Sequence, residues 1–206
     1  MIRTGTVSYF FRDQKGLECA LDSVDWSANP KIWSAGCSAG QEPFTIAIML
    51  AERITVWKFK NLRIFATDIV EKFGQRIATG TYKETEVNAV KTNEENEHLF
   101  KKYFEILDDG RYEVIPEIRR KVVFARNDVL VDEPISDNFE MISCKNVFEY
   151  FNIEEKQRVY RKFYDVLRPE GILMIDPKQR NKEYEPPGNL FERICKDCVE
   201  RVYRKR

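Results

Sequence analysis

The sequence predicts an α/β fold, a mostly parallel β-sheet covered by helices, with a small antiparallel β lobe inserted. Three observations carry this. Short apolar runs of strand character recur at Lys31–Ala35, Arg63–Thr67, Lys121–Ala125, Phe139–Cys144 and Gly171–Ile175. Segments of helical period separate several of them, and strand–helix–strand repeats favour right-handed crossovers and parallel pairing. One stretch breaks the rhythm: Tyr103–Leu107 and Arg111–Ile115 flank Asp108-Asp109-Gly110, and Asp-Gly between alternating apolar runs is a strong hairpin signal.

Each helix has its own mark. Phe44–Trp57 places Ile46, Ala47, Leu50, Ile54 and Trp57 at three-to-four spacing. Ile69–Thr79 ends at Gly80, a residue suited to a left-handed cap. Thr85–Glu97 is polar and reads as a surface connection or an exposed helix. Ile153–Leu167 carries Val159, Phe163, Val166 and Leu167 on one face and stops at Arg168-Pro169. Beyond it come a Pro/Gly loop at Tyr184–Gly188, a short helix near Leu190–Cys195 and a last strand at Val199–Arg204. With no repeat and no sign of a second core, residues 1–206 read as one domain, with 1–30 as a leading segment and 99–120 as the hairpin lobe.

Composition narrows the function. A chain of 206 residues, 43% hydrophobic and 33% charged, describes a globular protein rather than a disordered one. The 34 basic and 34 acidic residues balance, so the total points to neither nucleic acid nor an anionic membrane. No signal peptide and no bilayer-length apolar run is present, so a cytoplasmic protein without direct membrane insertion is expected. Five scattered cysteines do not make a secreted disulfide framework. The Cys195/Cys198 pair lacks further ligands for zinc, and His98 sits alone in a polar connector, so no metal site is expected.

Ligands of such sheets bind at the carboxyl ends of the strands, beside the point where strand order reverses. The first strand runs there into Gly36-Cys37-Ser38-Ala39-Gly40, a turn whose glycines let backbone approach a nucleotide. It has neither the G-x-G-x-x-G of dinucleotide sites nor the G-K-[ST] of a phosphate loop. Asp68 ends the second strand, where a carboxylate accepts hydrogen bonds from ribose hydroxyls; equally, it can cap the segment that follows. A glycine turn and an acid without a phosphate grip suit an adenosine lacking a phosphate chain, such as S-adenosyl-L-methionine.

Five ordered motifs then resemble one family. Val7-Ser8-Tyr9-Phe10-Phe11-Arg12-Asp13, Trp33 through Pro43, Ala66-Thr67-Asp68-Ile69 with Gly80-Thr81-Tyr82, Phe139 through Phe151, and Leu167-Arg168-Pro169-Glu170-Gly171 resemble the motifs of CheR-type chemotaxis-receptor methyltransferases. The resemblance implies a Rossmann-like class I S-adenosylmethionine methyltransferase fold. It also implies esterification of glutamate carboxylates on a protein, with chemoreceptor cytoplasmic helices or another protein as substrate and S-adenosyl-L-homocysteine as product. By the same resemblance Arg12 and Tyr150 are catalytic. Ser8, Arg12, Gly36, Gly40, Glu42, Asp68, Asn127, Asp128, Lys145 and Asn146 bind the cofactor, Asn127 and Asp128 beside adenine.

Duller roles stand beside these. Arg12 can pair with Asp13 on the surface, Tyr150 and Phe151 can be core aromatics, Asn146 can be a turn residue, and Phe10-Phe11 is expected to pack. The chain also departs from the family pattern. Gln41 replaces the first acid of E-E-P, Lys145 replaces an arginine, and Asp176-Pro177-Lys178-Gln179 stands where G-x-S-E is usual. The sequence starts at the first motif, so the resemblance implies that the family's helical N-terminal domain is lacking. Two other readings remain: a small-molecule O-methyltransferase on the same scaffold, and an inactive cofactor-binding module.

Overall fold

The alternation of apolar residues along the strands sorts the core into two layers. In the computed structural model, which describes residues 8–175, 185–195 and 201–206, β1 (Lys31–Ala35) lies between β2 (Arg63–Asp68) and β7 (Phe139–Cys144). Ile32, Met141 and Ile172 are in register across three strands and face one layer; Trp33, Ile142 and Leu173 face the other. A one-residue slip would exchange the layers, so two buried faces fix the register.

The full sheet has seven strands in the order β6-β2-β1-β7-β8-β10-β9, with β6 at Val122–Arg126, β8 at Leu167–Ile175, β9 at Phe191–Arg193 and β10 at Arg201–Lys205. β6 through β8 pair in parallel, and β10 is antiparallel to both its neighbours. Order reverses at β1, so the carboxyl ends of β1, β2, β6 and β7 converge on one crevice.

Helix α1 (Gln14–Asp22) follows the leading segment and α2 (Gln41–Arg53) follows the glycine turn. The expected helix to Trp57 breaks at Ile54, which is extended (φ −102°, ψ 161°). Thr55 then caps a separate α3 (Val56–Asn61), its hydroxyl accepting from Lys58 N at 3.4 Å. Three successive β-branched residues, Ile54-Thr55-Val56, weaken the helix there, and Trp57 stays 64% exposed instead of joining the core.

The helix expected from Ile69 starts only at Phe73 (α4, Phe73–Thr79) and ends at Gly80 with φ 63°. The polar stretch after it holds α5 (Glu84–Lys91), whose Val87 and Val90 are buried, and α6 (Glu97–Tyr103), which exposes His98. β4 (Phe104–Ile106) and β5 (Tyr112–Val114) form the hairpin, and β3 (Thr81–Tyr82) adds a third strand in the order β3-β5-β4. The small sheet therefore draws on residues well before position 99, and its buried side chains join the core of α2. A one-turn helix, α7 (Pro116–Arg119), leads into β6.

α8 (Ile153–Val166) has Asn152 and Glu155 in a reciprocal capping box. It ends before Leu167, which already belongs to β8. Leu190–Cys195 is not helical: Phe191–Arg193 is a strand because Phe191, Glu192 and Arg193 pair with Lys205, Arg204 and Tyr203. Long-range pairing overrides local preference here. Val7, Asp176–Gln179, Tyr184 and Cys198 lie outside the described residues, as do residues 199–200 of the expected last strand. Cys19, Cys37 and Cys144 are not in disulfides. Among the described residues no helix is long and apolar enough to cross a membrane, and no group of three or more metal-ligating side chains clusters.

Candidate active site

The turn after β1 is built by its own hydrogen bonds. Gly36 N and Cys37 N both donate to Thr67 O, at 2.8 and 2.9 Å, Gly40 N donates to Cys37 O at 3.1 Å, and Ser38 N donates to Asp68 Oδ2 at 2.9 Å. Four of its amides are thus spent inside the protein, which leaves no cluster of N–H groups to cradle a phosphate. The turn itself requires both glycines. Gly36 has φ 78°, and a Cβ on it would fall 2.3 Å from Val147 Cγ2; at Gly40 (φ 91°) it would fall 2.7 Å from Ile77 Cγ1. Gly36→Ala should lower the unfolding free energy by roughly 2–4 kcal/mol in urea titration, from left-handed strain plus overpacking.

Asp68 joins the turn to β2. Its Oδ2 accepts from Ser38 N, its Oδ1 accepts from Val70 N at 3.0 Å, and its own carbonyl accepts from Asn127 N at 3.1 Å. The capping role is therefore real. Each carboxylate oxygen carries a second lone pair, so acceptor capacity toward the crevice remains.

Asn127 follows β6, 8% exposed, and donates Nδ2–H to Glu133 O at 2.9 Å, while its buried Oδ1 has no partner. A buried acceptor left open is uncommon and asks for a donor. Asp128, its neighbour, spends Oδ1 on Leu130 N at 3.0 Å in a local turn. Lys162 holds this loop from behind, donating to Val129 O and Asp132 O at 2.7 and 2.6 Å, and burial pulls its ammonium below the usual lysine range.

On the other side of the turn four charges meet. Glu42, in the first turn of α2, accepts from Ser34 Oγ at 2.8 Å through Oε1 and from Lys145 Nζ at 3.1 Å through Oε2. Lys145 also reaches Asp13 Oδ2 at 3.6 Å, with its side chain only 6% exposed. Arg12 lies beside the same carboxylate, Nε 3.4 Å from Asp13 Oδ2, and donates Nη2–H to Asn146 Oδ1 at 3.4 Å. Asn146 is left-handed (φ 58°). Arg12 thus has both its surface-type partner Asp13 and a link to the end of β7. Lys145 clamps the leading segment to α2.

The remaining expected residues are less central. Ser8 is half-buried ahead of Arg12, and Phe10 and Phe11 pack in the core. Tyr150, in a 3₁₀ turn (Phe148–Tyr150), is 51% exposed rather than a core aromatic; Phe148 fills the core in its place, stacked on Tyr160 at 4.6 Å.

Two residues outside the expected set shape the site. Asp13 was legible only as a neighbour of Arg12. Tyr82, on the small sheet, donates its hydroxyl to Ala39 O at 2.8 Å and packs edge-on against Phe10 at 4.9 Å, so one side chain braces both the turn and the leading segment. Burial pushes that phenol well up, and burial with Asp68 and Glu42 nearby does the same to the Cys37 thiol, so both stay neutral. Tyr82→Phe should cost about 1–2 kcal/mol in thermal or urea unfolding, because it strands a buried carbonyl.

A seven-stranded sheet of this order, with an acid-tipped β2 beside a glycine turn after β1, is the architecture of the class I S-adenosylmethionine methyltransferases. Two solved structures share the fold. One is the N-methyltransferase NodS from Bradyrhizobium japonicum in complex with S-adenosyl-L-homocysteine (TM-score 0.56, 13% identity, 94% of this chain and 85% of that one). The other is a TehB-like SAM-dependent methyltransferase from Corynebacterium glutamicum (TM-score 0.52, 14% identity, 98% and 90%).

Residues 6–182 match the family described as CheR methyltransferase, SAM binding domain, and the chain belongs to that family. It is 31% identical to the chemotaxis protein methyltransferase of Listeria innocua over 84% of its own length and 64% of the relative's. It is also 31% identical to that of Borreliella burgdorferi, over 88% and 68%. The chain therefore spans about two thirds of each of these two relatives.

The residues present fit the family's cofactor. Asp68 has acceptor capacity that would suit ribose hydroxyls, the open Asn127 Oδ1 would suit an adenine amino group, and the turn offers nothing to a phosphate chain.

Proposed function

We propose that this chain, as one catalytic domain, uses S-adenosylmethionine to methylate glutamate carboxylates of a protein, namely chemoreceptor cytoplasmic helices, in the cytoplasm. The observation that supports it most is the 2.9 Å bond from Ser38 N to Asp68 Oδ2, which unites the glycine turn and the acid of β2 into one phosphate-free adenosine site. The names of the chemotaxis relatives support the protein substrate.

The bound cofactor supplies a methyl group on a sulfonium, and a glutamate carboxylate is already ionised at neutral pH. No base is needed. The chain's task is to hold the carboxylate in line, and positioning of that kind supplies roughly 7 kcal/mol or more of barrier lowering. Arg12, steadied by Asn146 and Asp13, is the group we assign to orient one carboxylate oxygen by a charge-assisted hydrogen bond. Tyr150, half-exposed in the turn after β7, is assigned to the rim where a protein segment would enter. Glu42 and Lys145 neutralise each other beside that position and keep the surroundings of the sulfonium fixed.

The test is transfer of labelled methyl from S-adenosylmethionine to receptor cytoplasmic fragments. Base-labile label on glutamate is expected. Tight binding of S-adenosylhomocysteine with no transfer to any fragment would turn the reading toward a cofactor-binding module.

A further inference from the structure

Total charge is balanced, yet one end of the sheet is not. At the amino-terminal ends of β2 and β6, opposite the crevice, α3 raises Val56 and Trp57 out of the surface, 87% and 64% exposed. Lys60 follows them at i+4 and i+3 and so shares their side of the helix. Arg63 opens β2, while Arg120 and Lys121 lead into β6, and Ile64 N donates to Lys121 O at 2.8 Å. The Lys121 ammonium donates in turn to Lys60 O at 2.8 Å. These contacts make α3 and the two strand starts one continuous face.

The face is crowded with like charge. Burial first, then Arg63, with Arg120 and Lys60 adding, pulls the Lys121 ammonium below its ordinary range; Glu117 alone opposes them. Among the described residues, Lys60, Arg63 and Arg120 have no carboxylate partner. An apolar pair standing proud, rather than lining a groove, offers no socket for a peptide side chain. Tryptophan favours the headgroup level of a bilayer, and lysine and arginine gain from the negative potential of an anionic leaflet.

We propose that this face adsorbs to an anionic phospholipid surface, with Val56 and Trp57 at headgroup depth and the surrounding cations on lipid phosphates. Such a chain lies on the membrane and does not span it. The carboxyl ends of the strands then point away from the lipid, leaving the crevice open to a protein.

The test uses the whole chain with vesicles of mixed phosphatidylcholine and phosphatidylglycerol, read by co-sedimentation and tryptophan emission. Trp26 and Trp33 are buried, so a change in emission reports Trp57. Sedimentation with a blue shift is expected, absent on pure phosphatidylcholine and lost at high salt. The pair Lys60→Glu and Arg63→Glu, checked for unchanged thermal unfolding, should weaken partitioning about a hundredfold. No sedimentation of the wild-type chain would overturn the proposal, as would a blue shift with soluble polyglutamate but none with vesicles, which would assign the face to an acidic protein.

Discussion

Asp68→Ala is expected to weaken the binding of S-adenosylhomocysteine by about a hundredfold, two charge-assisted hydrogen bonds being worth roughly 3 kcal/mol or more together. The effect should be large because one carboxylate serves two ends. It fixes the turn through Ser38 N and the start of the next segment through Val70 N, and each of its oxygens keeps a second lone pair that a ribose hydroxyl would use. Asp68→Asn separates these duties: it keeps one acceptor oxygen but turns the other position into a donor, which conflicts with the backbone N–H it faces. An intermediate loss is expected from it. Calorimetric titration of both variants, after circular dichroism confirms folding, reads the difference. Wild-type affinity in Asp68→Ala would remove the residue from the site.

Lys145→Met should be the most destabilising single change at the crevice. Its ammonium, 6% exposed, lies 3.1 Å from Glu42 and 3.6 Å from Asp13, and its removal takes from Glu42 the cation it pairs with and leaves Asp13 to Arg12. Breaking a buried pair in this way typically costs about 3–5 kcal/mol. The chain should unfold at much lower urea, with the leading segment loosening from α2 first. Lys145→Arg should retain most of the stability, since a guanidinium reaches both acids, and so separates loss of charge from loss of shape. If Lys145→Met unfolds like wild type, the clamp is not what holds the leading segment.

Much of this was legible in the sequence where periodicity and chemistry agree. Lys31–Ala35 and Phe139–Cys144 were read to the residue because strands buried on both faces give continuous apolar runs bounded by polar turns. Asp68 and the turn from Gly36 to Gly40 were legible because a glycine-bearing bend and an acid mark the tips of β1 and β2. What escaped depends on distant partners. Leu190–Cys195 has no local strand pattern, and only its pairing with β10 makes Phe191–Arg193 extended. Nothing near Lys145 in sequence announces that it is buried between Asp13 and Glu42, nor that Arg12 meets Asn146, 134 positions away. Tyr82 appeared only as part of a motif, and its hydroxyl on Ala39 could not be read from spacing. The charge total hid the cationic face around α3, since a sum carries no information on placement.

The most direct measurement is a crystal structure of the chain grown with S-adenosylhomocysteine. The ribose hydroxyls should sit on Asp68 and the adenine amino group within hydrogen-bonding distance of Asn127 Oδ1, with the amino-acid end beside Glu42 and Arg12. Adenosine density elsewhere on the molecule, or a crevice that stays closed by its own side chains at saturating ligand, would contradict it.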